Sequence, residues 1–168
     1  MILGLLLERS KTGYEMKQVL ESVFSYFYNA SFGTIYPMLG KMEAQGLISK
    51  KSVIQEGKPN KNVYTITEAG ERQFRAYMTS PIQGNEMKSD FMVRLYFGEL
   101  VGEELIASWL RKAIADTEVM LQELKSKYVK WGEELSVSQE ICVKLGIDCY
   151  ESNLRILREG LRKLEAAQ

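Results

Sequence analysis

Apolar residues near the N-terminus recur at helical spacing and predict two helices. The segment 2–7 contains five large apolar side chains and predicts a short buried helix that ends around 8–11. Thr12 followed by Glu15 has the spacing of a capping box, in which each side chain satisfies the other residue's backbone amide. We therefore expect a second helix after Thr12. Its apolar face would consist of Tyr14, Met16, Val19, Leu20 and Val23.

A third helix is predicted to have one apolar and one polar face. Ser31 can cap its N-terminus and Gly46 ends it. Pro37 has no amide hydrogen and is best tolerated in a first turn, so it either moves the helix start towards Thr34 or kinks the first turns. The residues at i, i+4 and i+7, which are expected to face inwards, are Ile35, Leu39 and Met42. The residues left for the outer face are Thr34, Tyr36, Pro37, Lys41 and Gln45.

After Gly46 the apolar period changes to about two, which is typical of β-strands. Segments 47–54 and 62–67 predict two strands, and the Gly, Pro and Asn residues within 55–61 predict the turn between them. Thr67 can cap a fourth helix, with Glu68 in its first turn. The order is therefore three helices, an antiparallel hairpin and a further helix.

The second half of the sequence predicts only helices. Proline, glycine and asparagine within 80–85 interrupt the helical patterns, so we expect two domains, 1–80 and 81–168. One long helix has apolar positions at alternating spacings of four and three, namely Ile106, Leu110, Ala113, Thr117, Met120 and Leu124. Another repeats the pattern with Val143, Ile147, Tyr150, Leu154, Leu157, Leu161 and Leu164.

These two heptad seams favour association between two copies of the chain, because they offer more area than a short intramolecular pair buries. The alternative is an ordinary antiparallel pair within one chain, which uses the same positions. On the first interpretation, the dimerisation residues are Ile106, Leu110, Met120, Leu124, Tyr150, Leu154, Leu157 and Leu161.

Composition excludes many classes of enzyme. The chain of 168 residues is 45% hydrophobic and 26% charged, as expected for a folded protein. It contains no histidine, which removes Ser-His-Asp catalysis and every histidine-containing metal site. Cys142 and Cys149 are too far apart to pair within one helix, and we expect them to be small buried apolar residues. We therefore expect no catalysis, no metal and no cofactor.

The net charge of zero conceals an asymmetry. Residues 1–80 carry ten Lys and Arg against seven Asp and Glu, whereas residues 81–168 carry twelve against fifteen. The N-terminal half is thus the one suited to a polyanion. The apolar segment at 1–7 is too short to span a membrane and lacks the basic start of a signal peptide, so a cytoplasmic protein without membrane contact is expected.

The predicted fold is mainly α, with an N-terminal winged helix-turn-helix domain, a two-stranded β-wing and an α-helical C-terminal dimerisation domain. An α-helix fits the major groove of DNA, and an adjoining hairpin reaches the phosphates beside it. Ser31, Thr34 and Lys41 are placed to contact bases or phosphates, and Tyr36 either binds a phosphate or packs in the core. Five lysines against two glutamates lie within 41–61. On the predicted turn, Lys58, Asn60 and Lys61 can follow the DNA backbone.

The first 77 residues contain two specific motifs, Gly-Thr-Ile-Tyr-Pro at 33–37 and Tyr-Thr-Ile-Thr-Glu-Ala-Gly at 64–70, in that order. With these motifs, the segment resembles the PadR family of bacterial transcriptional regulators. Segments 3–6, 13–15, 46–48 and 57–61 match as well. The helical tail, including 88–91, is similar to a subgroup with a large C-terminal domain related to virulence-gene activators.

This resemblance implies a homodimer that binds a two-fold double-stranded DNA operator through its winged domains. It also implies a regulator that is often a repressor released by a phenolic or drug-like small molecule, although some members activate transcription. By position, it assigns DNA contacts to Tyr14 at the start of the second helix, to Ser31, Thr34, Tyr36 and Lys41 in the recognition element, and to Lys58, Asn60 and Lys61 in the wing. Family wings often carry arginine where Lys58 and Asn60 stand, and lysine lacks arginine's bidentate geometry.

Aromatic residues of the second half can serve either an effector pocket or the core. Phe91, Trp109 and Trp131 are the main candidates for a pocket that would hold a small aromatic effector, together with Tyr96 and Phe97. Two other functions remain to be weighed against gene regulation. One is a winged-helix protein-interaction module without specific DNA binding, and the other is an enzyme, for which no catalytic constellation is present in the sequence.

Overall fold

The computed structural model describes residues 1–26, 35–55, 58–84 and 88–166. Its contacts divide the chain into two compact units, Met1–Gly84 and Asn85–Gln168. Within the described residues, no helix is both long enough and apolar enough to cross a membrane.

The N-terminal unit contains four helices and a small antiparallel sheet. Its elements are α1 (Ile2–Glu8), β1 (Lys11–Thr12), α2 (Gly13–Val23) with a 3₁₀ turn at Phe24–Tyr26, α3 (Ile35–Ala44), β2 (Ile48–Gln55), β3 (Lys58–Ile66) and α4 (Glu68–Thr79). The predicted cap at Ser31 lies outside the described residues. Pro37 falls in the first described turn of α3, where its missing amide hydrogen is tolerated.

Helix ends follow the predicted capping chemistry. The Glu15 amide donates to Thr12 Oγ1 at 3.2 Å, and the Thr12 amide donates to Glu15 Oε2 at 2.7 Å, which completes a capping box. At the start of α4, Thr67 Oγ1 accepts from the Gly70 amide at 3.2 Å. Gly46, with a φ of 70°, follows α3 in a conformation that favours glycine. These three predictions are confirmed.

The sheet differs from the predicted two-stranded wing in two ways. It has three strands in the order β1-β3-β2, because Lys11 pairs with Tyr64. A strand of two residues is too short to show a period in the sequence. The hairpin is also longer than expected, since Gln55 pairs with Lys58 across residues 56–57. Lys58, Asn60 and Lys61 therefore belong to β3 and not to the turn.

Pro59 was expected to lie in the turn, but it lies in β3. Proline removes a ladder hydrogen bond and normally argues against a strand with two neighbours. Although β3 is the central strand, β1 pairs only with Val63 and Tyr64. At Pro59, β3 thus has an open edge, which is where proline is found in sheets.

The core of the N-terminal unit is formed by α1, α2, α3 and the sheet. Ile35 and Leu39 of α3 are 2% and 0% exposed, and Met42 packs against them from the edge, as predicted. The connection between α3 and β2 is held by α4. The Thr67 amide donates to the Leu47 carbonyl at 3.1 Å, and a Cβ at Gly70 would lie 2.1 Å from that same oxygen. Glycine is required there by this close approach.

The C-terminal unit is helical. Its elements are α5 (Asp90–Tyr96), a 3₁₀ turn at Gly98–Leu100, α6 (Glu103–Trp131), a 3₁₀ turn at Gly132–Glu134 and α7 (Val137–Ala166). Helices α6 and α7 pack side by side, and ion pairs join the start of one to the end of the other, so they are antiparallel.

The two predicted heptad seams face each other within one chain. Ile106, Leu110, Leu124 and Leu154 are all less than 10% exposed in a single copy. Met120, Tyr150, Leu157 and Leu161 are half-buried in the same interface. Within one chain, the apolar stripes of α6 and α7 thus pack against each other as an antiparallel pair. Contact of the same residues with a second copy stays a prediction.

Cys142 and Cys149 are exposed and unpaired by any disulfide, so the expectation that they are buried was wrong. They lie on α7 away from the seam that contains Val143 and Leu154. Small size and low polarity favour burial on average, but helix phase decides it for a particular residue.

Candidate nucleic-acid interface

The outer face of α3 carries small and flexible side chains. Tyr36 and Met38 are 56% and 50% exposed, and Lys41 is also exposed. Pro37, Gly40 and Ala44 are also exposed, and all three are smaller than these side chains. A Cβ added to Gly40 would meet nothing within 4 Å. This face can thus approach another molecule closely.

Tyr36 packs on the start of α2. A Cβ built on Gly13 would lie 2.7 Å from Tyr36 Cε1 and 3.4 Å from Leu39 Cδ1, so only glycine accommodates the ring. More than half of Tyr36 nevertheless remains exposed. Tyr36 was expected either to bind a phosphate or to pack in the core. In the structure its ring packs on Gly13, and part of the side chain still faces solvent.

A second exposed tyrosine lies beside this contact. Tyr14 is 62% exposed, and its hydroxyl oxygen accepts from Gln18 Nε2 at 3.1 Å. Because Tyr14 follows Gly13 directly, the N-terminus of α2 and the outer face of α3 are neighbouring surfaces. The remaining predicted residues of this region, Ser31 and Thr34, lie outside the described residues.

The wing, which is the hairpin of β2 and β3, presents two lysines on one face. Val53 pairs with Lys61 and Lys51 with Val63, so Lys51 and Lys61 are diagonal neighbours on the same side. Both are exposed. Lys51 was not among the predicted site residues, although the alternation of strand residues links it to Lys61. Asn60 is exposed as well, and only the backbone of Lys58 is described.

Lys50 differs from the other wing lysines because it faces α3. Its Nζ lies 3.0 Å from Glu43 Oε2. The hydrogen bond and charge of Glu43 raise the pKa of Lys50. In contrast, Lys41, Lys51 and Lys61 form no ion pair within the part of the chain that the structure describes. These three cations are the ones available to phosphate groups.

The C-terminal unit has a groove that the predicted aromatic pocket residues do not line. Phe91, Trp109 and Trp131 are each half-buried. Tyr96 and Phe97 are exposed, with ring centroids 5.1 Å apart in an edge-to-face arrangement. That groove lies between α6 and α7. Among the described residues, no three His, Cys, Asp or Glu side chains are grouped to hold a metal ion.

Comparison with known proteins gives a consistent result. Residues 2–76 match the model of the transcriptional regulator PadR-like family. The negative transcriptional regulator PadR of Bacillus subtilis is 27% identical over 131 residues, which cover 77% of this chain and 71% of that protein.

Among solved structures, a PadR-like transcriptional regulator from Bacillus cereus is 35% identical, with a TM-score of 0.90 over 99% of this chain and 97% of that one. Bacillus subtilis PadR in complex with operator DNA has a TM-score of 0.84 at 22% identity, covering 97% and 96% of the two chains. The same regulator has been solved in complex with p-coumaric acid, at 20% identity and a TM-score of 0.76 over 98% and 96%. The Vibrio cholerae virulence activator AphA shares the fold, with a TM-score of 0.77 at 21% identity over 99% and 97%.

Proposed function

The chain belongs to the PadR-like family of transcriptional regulators, and on that premise we propose that it binds a two-fold DNA operator as a homodimer and represses transcription. The observation that carries the proposal is the pair of exposed surfaces on the N-terminal unit. One is the outer face of α3 with Tyr36 and Lys41, and the other is the wing face with Lys51 and Lys61.

The two surfaces suit different parts of DNA. Helix α3 enters the major groove, where Tyr36, together with Ser31 and Thr34 that precede α3 in sequence, meets base edges or phosphates and Lys41 meets the backbone. Tyr14 extends this surface from α2. The wing residues Lys58, Asn60 and Lys61, together with Lys51, follow the phosphates beside the groove. Lys50 is less available because Glu43 holds it.

The C-terminal unit is proposed to form the dimer. No residue of α5 is fully buried within the chain, and its apolar residues Met92, Val93 and Tyr96 are exposed. The first half of α7 likewise exposes Val137, Ile141 and Leu145. An exposed apolar surface of this kind is typical of a protein interface. These residues join the half-buried seam residues Met120, Tyr150, Leu157 and Leu161 as candidates for contact with a second copy.

Repression and a small aromatic effector are supported by relatives. Bacillus subtilis PadR is named a negative regulator and has been solved with p-coumaric acid, whereas AphA is named an activator. We therefore favour a repressor whose DNA affinity falls when a small molecule binds, and we keep activation as the alternative. Such a protein works in the cytoplasm, where its DNA is.

Selection of bound sequences from random double-stranded DNA tests the proposal. A two-fold binding protein should enrich an inverted repeat whose half-sites are about one or more helical turns of 10 to 10.5 base pairs apart. The mass of the complex should correspond to two chains per site. Failure to enrich any sequence would refute specific DNA binding and favour the protein-interaction module. Enrichment of a single half-site would refute the dimer alone.

A further inference from the structure

The groove between α6 and α7 has an unusual distribution of charge. It has a volume of about 890 Å³. Four cationic side chains against two carboxylates leave it with a net charge of +2, within a half of the chain whose net charge is negative. Its cationic side chains are Lys125, Arg155, Arg158 and Arg162.

Ion pairs at regular intervals account for some of these cations. Three pairs cross between the helices at steps of seven residues on each. They are Arg111–Glu165 at 3.0 Å, Glu118–Arg158 at 2.5 Å and Lys125–Glu151 at 2.5 Å. This regular register determines which residue of α6 lies opposite each residue of α7 along this side of the helix pair.

Arg155 and Arg162 fall between these pairs. The antiparallel register places Arg155 opposite Leu121 and Gln122 and places Arg162 opposite Ile114, none of which is acidic. Glu159 lies within four residues of both arginines and binds Lys163 at 2.8 Å, and the charges of Arg162 and Arg155 also help to lower its pKa. Glu151 and Glu165, which are equally close in sequence to Arg155 and to Arg162 respectively, bind Lys125 and Arg111. Within the described residues, neither Arg155 nor Arg162 forms an ion pair. Two guanidinium groups are therefore available at one groove.

The floor of the groove is apolar. Leu154 is buried beneath it, Leu121 is half-buried and Val129 is 79% exposed along its wall. Binding sites for small molecules combine an apolar lining with a few placed polar groups. Guanidinium pairs in two-pronged fashion with carboxylate and similar oxyanions. The lining therefore matches a molecule with an apolar body and an acidic group.

We propose that this groove binds a small organic anion whose apolar body lies on Leu121 and whose acidic group is paired by Arg155 or Arg162. The inference deepens the proposed regulatory function, because the occupant is the effector class assigned above in general terms. A second copy of the chain is a less suitable occupant. Three of the exposed apolar residues of α7, Val137, Ile141 and Leu145, lie on its first half, whereas the arginines lie on its second half with a single exposed apolar neighbour, Ile156.

The probe for the test is 8-anilinonaphthalene-1-sulfonate, an aromatic sulfonate that fluoresces in apolar surroundings. The full chain is titrated as wild type and as the double variant Arg155→Gln/Arg162→Gln. The matched control is Arg72→Gln/Arg75→Gln, which loses the same charge from exposed positions on α4. A second probe, N-phenyl-1-naphthylamine, has the same aromatic body without the sulfonate.

We expect the groove variant to bind the sulfonate at least tenfold more weakly than wild type, and the control to bind it like wild type. The neutral probe should bind all three alike. Equal sulfonate binding by the groove variant and wild type would overturn the proposal. So would a parallel loss of the neutral probe, or conversion of the groove variant to a monomer in sedimentation, which would identify the groove as a surface between copies.

Failure of this inference is separable from failure of the proposed function. Probe binding is measured without DNA, and operator binding is measured without the probe. If the wild-type chain binds the sulfonate through Arg155 and Arg162 but selects no DNA sequence, the groove stands as a binding site and the proposed regulatory function is refuted. If the chain selects a DNA sequence but does not bind the sulfonate in this way, only the groove proposal is refuted.

Discussion

The ring of Tyr36 on α3 lies so close to Gly13 on α2 that a Cβ at position 13 would approach Tyr36 Cε1 to 2.7 Å. Gly13 directly follows Thr12, which caps α2. The start of α2 and the outer face of α3 are thereby fixed to each other. This contact positions Tyr36 with part of its side chain in solvent, where it can meet DNA.

Gly13→Ala is expected to displace Tyr36 and weaken binding to all operator sequences. Overpacking of this kind costs about 1 to 3 kcal/mol of folding stability. Urea unfolding and fluorescence anisotropy with operator DNA measure the two effects. In the double variant Gly13→Ala/Tyr36→Ala the clash is absent. Its loss of unfolding free energy should therefore be smaller than the sum of the losses in the two single variants. Strict additivity would show that the two residues do not interact.

Gly40→Ala is expected to separate stability from DNA binding. In an exposed helix interior, alanine gives a folding stability about 0.5 to 1 kcal/mol higher than glycine does. The added Cβ at position 40 meets nothing within 4 Å in the free protein. Because Gly40 lies on the face assigned to the major groove, the same Cβ should reduce operator affinity. A variant that is more stable and binds equally well would place Gly40 away from the DNA.

Lys51→Ala and Lys61→Ala are each expected to weaken binding to operator and random DNA by the same factor. Loss of one phosphate contact should lower the slope of log affinity against log salt by about one. Lys50→Ala is the matched control, since Glu43 already holds that ammonium group, and a smaller effect is expected. Thr34→Ala should instead change the preferred sequence. If the lysine variants changed the preferred sequence and Thr34→Ala weakened all DNA equally, the wing would contact the bases and α3 the phosphates.

Glu15 should make folding sensitive to acid. Hydrogen bonds from Thr12 and Arg9 lower the pKa of Glu15 from 4.5 to about 2. A carboxyl whose pKa is lower in the folded state stabilises the fold above its unfolded pKa, and this contribution is lost as pH falls from about 4.5 towards 2. Because the Glu15 side chain is 37% exposed, solvent screening keeps the effect modest.

Glu15→Gln tests this acid dependence. Thermal unfolding of wild type and variant is compared at pH 7, 4.5 and 2.5. The difference in melting temperature should be largest at pH 7 and should shrink at pH 2.5 without vanishing, because the folded-state pKa of Glu15 is about 2. Curves that stay parallel throughout would exclude Glu15 as the source.

Local signals in the sequence were sufficient for most of the N-terminal unit. Thr12, Thr67 and Gly46 mark helix ends by chemistry that acts within a few residues, and Ile35 and Leu39 share a face by helical period alone. The short strand β1 escaped prediction because it depends on Tyr64, which is more than fifty residues away. The strand at Pro59 depends likewise on where β1 ends.

The charged groove and the use of the heptad seams could not be predicted from sequence. A seam of period 3.5 fixes which residues are buried, but it does not say whether the partner helix is in the same chain. Arg155 and Arg162 resemble any surface arginines until the register of α6 against α7 shows that no acidic residue lies opposite. Lys51 and Lys50 are adjacent in sequence, and only strand alternation and Glu43 distinguish them.

The most direct test of gene regulation by this chain is its affinity for DNA from its own promoter region and for a scrambled duplex, measured across salt concentrations. The account predicts tighter binding to the promoter fragment and a log affinity that falls by about 0.9 per phosphate contact for each log unit of salt. Equal affinity for both duplexes, with no dependence on salt, would contradict it.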